Sequence, residues 1–379
     1  MRDFVRTSES VTMGHPDKLC DRISDAVIDA WLATGARAGV TAECALASGV
    51  AFLSIRAGGE APVDAAALAR RVVAEAGYPA EDGHAEMTVI LELSRDPDLA
   101  PDRLAAGAAR QMVTAFGYAG DALPCGMPAA IAAAHRLTRA LDAGRQGGRL
   151  GWLTPDAKVQ VAMRHADRRP VEIPALAVTV GTLEPVGQDT VEAAIREEVI
   201  APALAALGLP LARNATVDIA VSAAATGPAA HTGLTGRKTA DDRYGAFVHQ
   251  SGSALSGKDP ARLDRIADYA ARHAARGIVA AGLAREVEVQ LSWLPGRDRP
   301  HDIEIDSFGS GALPDGEISR RLAEAVDLRA GAIAERLGLW ELPARHGGRF
   351  YQRLATHGQF GRDDLDLPWD ATDLAGALA

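Results

Sequence analysis

Aromatic residues are scarce in this sequence, at 4%, although apolar residues overall reach 47%. Alanine and branched aliphatic side chains must therefore fill the core, each burying less area than an aromatic ring would. Basic charge is in deficit too, with a formal net charge of -10. That balance argues against a nucleic-acid binder, whose surface is usually basic, but it leaves room for a local cationic pocket. The three cysteines, Cys20, Cys44 and Cys125, lie far apart and match no metal-ligand spacing. Reduced thiols in a cytoplasmic protein are expected. No apolar run reaches the length of a bilayer span, so no membrane-spanning helix is expected. Met1-Arg2-Asp3-Phe4 lacks the apolar core of a signal peptide.

What is present starts near the beginning. Thr7 to Lys18 holds a histidine, two carboxylates and a lysine, and reads as a short polar loop. A helix follows, with Leu19, Ile23, Ala26, Val27, Ala30 and Trp31 on one apolar face and Pro16 in its first turn. A loop at a helix N-terminus favours anions. Val40–Leu46 and Val50–Arg56 flank a Gly49 turn and read as a hairpin, Val63–Ala76 as a helix and Glu86–Leu93 as a strand. Asp96–Gly107 reads as a loop. Helices are expected at Met127–Ala143 and Thr190–Leu207, strands at Val171–Val180 and Val217–Ala223. A further helix is expected from Pro260, a half-buried strand at Val287–Trp293 and one helix over Ile318–Leu337. No sequence repeat of 20 to 50 residues is visible.

Gly252 to Lys258 has the Gly-x4-Gly-Lys spacing of a P-loop, but Asp259 stands where a magnesium-binding hydroxyl is needed, and Ala246–Ser251 make a weak strand. What remains is a run of small residues that lets backbone amides approach an anion, a point charge at Lys258, and a helix expected to open at Asp259-Pro260. Arg237-Lys238 form a second cationic pair.

Ser8-Glu9-Ser10-Val11, Gly14-His15-Pro16-Asp17-Lys18 and Ile23 to Ala30 resemble the opening of S-adenosylmethionine synthetases. Gly233 to Lys238, Ser256 to Pro260, Pro155 to Lys158, Ala134 to Leu137 and His357 to Arg362 follow in that family's order and extend the resemblance over nearly the whole chain. The resemblance implies an α+β fold of three similar units, expected at 1–100, 108–231 and 232–379. It implies ATP-dependent adenosyl transfer, with attack at C5′ and release of the triphosphate. It places His15, Lys158, Arg237, Lys238 and Lys258 around the triphosphate, Glu9 and Asp156 near the nucleoside, Asp17 and Asp264 on Mg2+, and Glu43 on K+. Active sites between two subunits, hence a homodimer or a dimer of dimers, are implied as well. So much positive charge suits a reaction whose leaving group is a triphosphate.

The sequence also departs from the family. Arg56, Arg95, His231 and Arg262 stand where the resemblance implies Glu, Gln, Asp and Lys in the methionine pocket. Ala223 and Pro295 replace a Phe and an Ile, and Arg110-Gln111-Met112-Val113 brings no acid. A pocket rich in Arg should face an anion, because buried like charges repel. Three readings follow: a divergent synthetase, a transferase using a non-methionine and anionic nucleophile, or an inactive nucleotide-binding homologue, against which His15, Asp17, Lys258 and Asp264 speak. Two plainer explanations of the arginines stand beside these. Either they pair with surplus acids at the surface, or Glu60 or Glu92 takes over the ammonium contact.

Overall fold

The first strand, β1 (Asp3–Val11), lies along β6 (Leu153–Ala166) in antiparallel register, from Asp3 opposite Ala166 to Val11 opposite Lys158. The structure is a computed structural model that describes residues 3–60, 63–78, 87–100, 108–222 and 226–379. β6 turns through Asp167 and Arg168, both with positive φ, into β7 (Arg169–Thr182). β8 (Leu211–Ser222) adds in parallel, giving the order β1-β6-β7-β8. A second sheet runs β4 (Thr88–Arg95), β3 (Val50–Ala57), β2 (Val40–Ala47) and the short β9 (Gly233–Leu234). A third runs β11 (Asp302–Asp306), β10 (Glu286–Trp293) and β5 (Val113–Gly120).

An 18-residue helix covers each sheet. α1 (Pro16–Ala33) packs on β2, α3 (Ala129–Gln146) on β1 and β6, and α7 (Leu263–Ala280) on β5 and β10. This is the physical content of three similar α+β units. The smaller helices include α2 (Ala65–Glu75), α4 (Gln188–Ile195), α5 (Ala201–Leu207), α6 (Thr239–Asp242), α8 (Asp315–Ala325) and α9 (Ala330–Arg336), followed by single turns at Leu342–Arg345, Tyr351–Leu354 and Ala375–Leu378. Small residues let helix and sheet close up: a Cβ at Gly117 of β5 would lie 2.0 Å from the Ala271 carbonyl carbon of α7. This tight approach is how a chain poor in aromatics packs its core.

The sheets cross the boundaries expected from the sequence. β1 joins the central sheet, β5 joins the sheet of β10 and β11, and β9 joins β2. Other expectations need correcting. Thr7 to Lys18 is not one loop: Glu9 sits on β1, Asp17 and Lys18 on α1, and only Thr12–His15 turns. Nor is α1 half-solvated. All but Ala30 and Ala33 are buried, because loops from the last third of the chain cover its polar side. Cys20, off the apolar stripe, is therefore buried as well. Ile23 is fully buried, and Ile23→Ala should cost about 2–5 kcal/mol. Ile318–Leu337 is two helices, since the Asp327 side chain accepts the Arg329 amide at 3.1 Å and turns the chain between them. The helix after Pro260 starts only at Leu263. Strand β6, over residues 153–166, had not been anticipated. Ala223, Glu86 and residues 101–107 lie outside the described residues. No described helix is long and apolar enough to cross a membrane.

Candidate active site

The turn between β1 and α1 is held by four separate parts of the chain. The Val11 amide donates to Asp241 Oδ2, the Met13 amide to Asp142 Oδ2 at 2.9 Å, Thr12 Oγ1 to the Pro155 carbonyl at 2.7 Å, and Tyr78 Oη to the Gly14 carbonyl at 2.5 Å. Gly14 sits against Pro155 where a Cβ would come within 2.3 Å. His15 caps α1, its Nδ1 accepting the Asp17 amide at 3.2 Å. Burial and then the Lys238 ammonium lower its pKa to about 3, so the ring is neutral near pH 7. With Nδ1 an acceptor, the proton of the neutral ring is on Nε2, which is left as a donor.

Around this turn lies a first group. Asp17 accepts the Leu234 amide at 3.0 Å on Oδ1 and the Lys238 ammonium on Oδ2. Burial works to raise its pKa, but Lys238 and the Leu234 amide outweigh it and hold the carboxyl below its usual range. His231 lies with its ring 5.0 Å from that of His15 and its Nε2 3.8 Å from Asp156 Oδ2. Asp156 is raised by burial and accepts the Gly227 amide at 2.9 Å. Lys158 pairs with Glu9 at 2.6 Å across β1 and β6. Arg237 is exposed and donates to the Thr232 carbonyl. Glu9, Gln160, Arg237, Lys238 and Asp241 line an open cleft of about 410 Å³. Lys18 points away from this cleft, buried between Asp21 and Asp242, which raise its pKa well above the ordinary value despite burial.

A second group forms at the other end of β2. Lys258 bridges Thr41 through its backbone, and its Nζ donates to Glu43 at 2.7 Å. Arg262 lies 3.5 Å from Asp264, which also accepts Gln111 Nε2. Lys258, Arg262 and Arg56 together hold the Glu43 carboxyl below its usual range, Lys258 most strongly. Asp259 faces inward and accepts the Val40 and Ala261 amides, with its pKa raised by burial. No strand precedes this loop over Ala246–Ser251, and α7 opens after it, so it is not a P-loop. The two groups are anchored on β2 four residues apart, at Ala45 opposite Leu234 and at Thr41 opposite Lys258. That spacing is about 13 Å along a strand.

The four basic departures are not brought together within the chain. His231 belongs to the first group. Arg56 and Arg262 border Glu43 in the second. Arg95 pairs with Ala57 and so faces the opposite side of its sheet from Arg56, which pairs with Ser94. Glu92 does share the Arg56 face, where it accepts Ser54 Oγ at 2.6 Å. Asp17 and Asp264 also stay in separate groups. Among the described residues no three acids, histidines or cysteines gather as a metal cluster.

Residues 3–95 match the N-terminal domain of S-adenosylmethionine synthetase, residues 105–224 its central domain and residues 225–371 its C-terminal domain. The chain belongs to the S-adenosylmethionine synthetase family. It is similar to the S-adenosylmethionine synthase of Prochlorococcus marinus (strain MIT 9313), 41% identical over 100% of this chain and 97% of the relative. The S-adenosylmethionine synthase of a Synechococcus species is 40% identical over 98% and 96% of the two chains, and that of Synechococcus elongatus 37% over 100% and 97%. Membership carries with it the α+β fold of three family domains and the transferase class. Gln111, Tyr78 and the acids Asp21 and Asp25 of α1 were not singled out from the sequence. Asp17, Asp21, Asp25 and Asp29 recur at four-residue spacing, and that was the signal available.

Proposed function

We propose that this protein transfers the adenosyl group of ATP to the sulfur of methionine, forming the C5′–S bond of S-adenosylmethionine as the C5′–O bond breaks and triphosphate leaves. The observation that carries the reading is the His15 turn: a neutral imidazole with a free Nε2 donor, held beside Lys238 and Asp17. Nε2–H would hydrogen-bond the oxygen that departs from C5′. Lys158, Arg237, Lys238 and Lys258 would take the charge that grows on the triphosphate, where preorganised cations lower a barrier most. Of these four cations all but Arg237 are already paired with a candidate acid, Lys158 with Glu9, Lys238 with Asp17 and Lys258 with Glu43, and Arg262 pairs likewise with Asp264. Binding an anion would exchange these partners.

Asp17 and Asp264 fit Mg2+, since each offers hard carboxylate oxygen, and the Lys238 and Gln111 contacts they now make would be exchanged for the ion. Mg2+ when bound would neutralise phosphate oxygens. Glu43 would serve K+ on the same chemistry. Because the two groups stand apart in one chain, a site made of the first group of one subunit and the second of another is the economical arrangement. The outward face of β2, β3, β4 and β9 supports a homodimer, alone or as half of a dimer of dimers: Phe52, Ile90 and Leu234 are exposed there at 45%, 52% and 43%, beside Glu43 and Arg56. ATP as substrate and free thiols fit a cytoplasmic protein.

The test is mass spectrometry of products from ATP, Mg2+ and K+ with methionine, beside a panel of small thioethers and acids. S-adenosylmethionine as the main product supports the reading. A second reading has its own observation, His231 beside His15 and Arg56 beside Glu43, which put basic side chains where an ammonium would be held. Adducts with an anionic nucleophile and none with methionine would favour it. Turnover of none of them would leave a nucleotide-binding homologue.

A further inference from the structure

Four carboxylates on one face of α1 stitch the helix to three distant loops. Asp17 accepts the Leu234 amide at 3.0 Å, Asp21 the Gly236 amide at 2.7 Å and Asp25 the Gly257 amide at 2.8 Å. Asp29 accepts the Tyr351 amide at 3.0 Å and the Gln352 amide at 2.8 Å. Residues four apart share a helix face, and each step climbs about 6 Å. All four side chains are buried. Buried carboxylates are costly for bulk stability and useful for fixing one geometry, because their charge-assisted hydrogen bonds are strong and directional.

The two middle rungs do the same thing at two places. Gly236 and Gly257 both have a left-handed backbone, with φ of 76° and 74°. A Cβ would lie 2.3 Å from Ala254 Cβ at the first and 1.9 Å from the Ala42 carbonyl oxygen at the second. Each glycine immediately precedes a cationic turn, Arg237-Lys238 in one loop and Lys258 in the other. Asp21 also accepts Lys18, and Asp25 pairs with Arg265, whose Nε donates to the Leu255 carbonyl at 2.6 Å in the same loop as Lys258. The Gly236–Ala254 contact packs the two loops against each other.

We infer that Asp21 and Asp25 are positioning residues for triphosphate binding: each fixes a left-handed glycine, and through it the cationic turn that follows. Asp29, which clamps the chain near Tyr351, fixes no such turn. The inference rests on the reading that Lys238 and Lys258 meet the triphosphate of ATP.

The experiment is calorimetric titration of the full-length protein with diimidotriphosphate, a non-hydrolysable triphosphate, and with adenosine, with Tm recorded for each variant. Asp21→Asn and Asp25→Asn should weaken diimidotriphosphate by roughly tenfold, the scale of one charge-assisted hydrogen bond, and leave adenosine unchanged. Asp29→Asn should lower Tm and leave diimidotriphosphate unchanged. Where an Asn variant does not fold, Asp21→Glu or Asp25→Glu keeps the charge for Lys18 or Arg265 and moves the acceptor off the glycine amide, and the same selective loss is expected. Unchanged diimidotriphosphate binding in the Asp21 and Asp25 variants overturns the inference. So does an equal loss in Asp29→Asn at matched Tm, or an equal loss of adenosine. If the unmodified protein binds adenosine but not diimidotriphosphate, the ATP reading falls, and this inference with it.

Discussion

The two ends of β2 carry groups built to different standards. At one end His15 and Asp17 are buried, and the turn between β1 and α1 is tied by hydrogen bonds to four other stretches of chain. At the other, Glu43 leaves 66% of its side chain exposed on an outward sheet face, although Lys258, Asp259 and Asp264 are tucked in. The buried end fixes the tautomer and charge of a proton donor without help from a second molecule. The open end has its charges in place but no wall around them. A site that needs both should be rigid where the bond breaks and completed where a neighbour docks.

The largest effects should come from removing one carboxylate at each end. Asp17→Asn and Asp264→Asn are expected to lower kcat by about 100-fold or more with the far-ultraviolet circular dichroism spectrum unchanged. Full turnover at limiting Mg2+ in either variant removes that residue from the metal site. Co-expressing an Asp17→Asn chain with a Lys258→Ala chain probes the comparison directly. If each site draws one group from each subunit, mixed dimers hold one intact site, and activity should return to about a quarter of the unmodified level. No recovery would mean that both groups act within one chain. Lys258→Ala alone should lower kcat by about 10–100-fold and change the KM for ATP less, because the charge it meets grows during cleavage. A rise in KM with kcat intact would reduce Lys258 to a ground-state contact. Arg56→Glu combined with His231→Asp should raise kcat/KM for methionine by about tenfold, and no change would return both residues to the ordinary surface.

The smallest effect concerns pH. Asp29 is pushed up to about 7 by burial, with the Gln352 and Tyr351 amides and Arg265 opposing and Asp25 adding to the rise. An aspartate in the unfolded chain titrates near about 3.9. Between those values the native state holds the extra proton, so the stability contributed by Asp29 falls as pH rises from about 4 to about 7 and then levels off. Asn carries no such charge. The Tm of Asp29→Asn relative to the unmodified protein should therefore climb by about 2 °C from pH 5 to pH 8. A constant difference would mean that Asp29 is not titrating there.

Much of this was legible in the sequence, and the parts that were not have a common cause. The ordered motifs identified the family, and with it the α+β fold of three family domains. The hairpin around Gly49 and the long helices were readable because their patterns are local. α1 shows only its apolar face in the sequence, because what covers its polar face lies more than 200 residues away and leaves no local pattern. β6 carries a two-residue alternation, with Val159, Val161 and Met163 buried and Gln160 and Arg164 not, but Pro155 at its start weakens the strand signal. Arg56 and Arg95 were grouped by expected role, and only the strand register showed them on opposite faces.

The borrowing of strands between sheets has a further consequence, for synthesis. β1 precedes its partner β6 by about 140 residues, a wait of about 7–30 s at ordinary translation rates. α1 meets its last rung only when Tyr351 and Gln352 have emerged. The segment that holds His15 is thus made long before it is completed: its strand waits for β6, and its aspartates are answered one after another as Leu234, Gly236, Gly257 and Tyr351 emerge. A chain arrested anywhere before residue 352 should be a client for chaperones rather than a partly working enzyme.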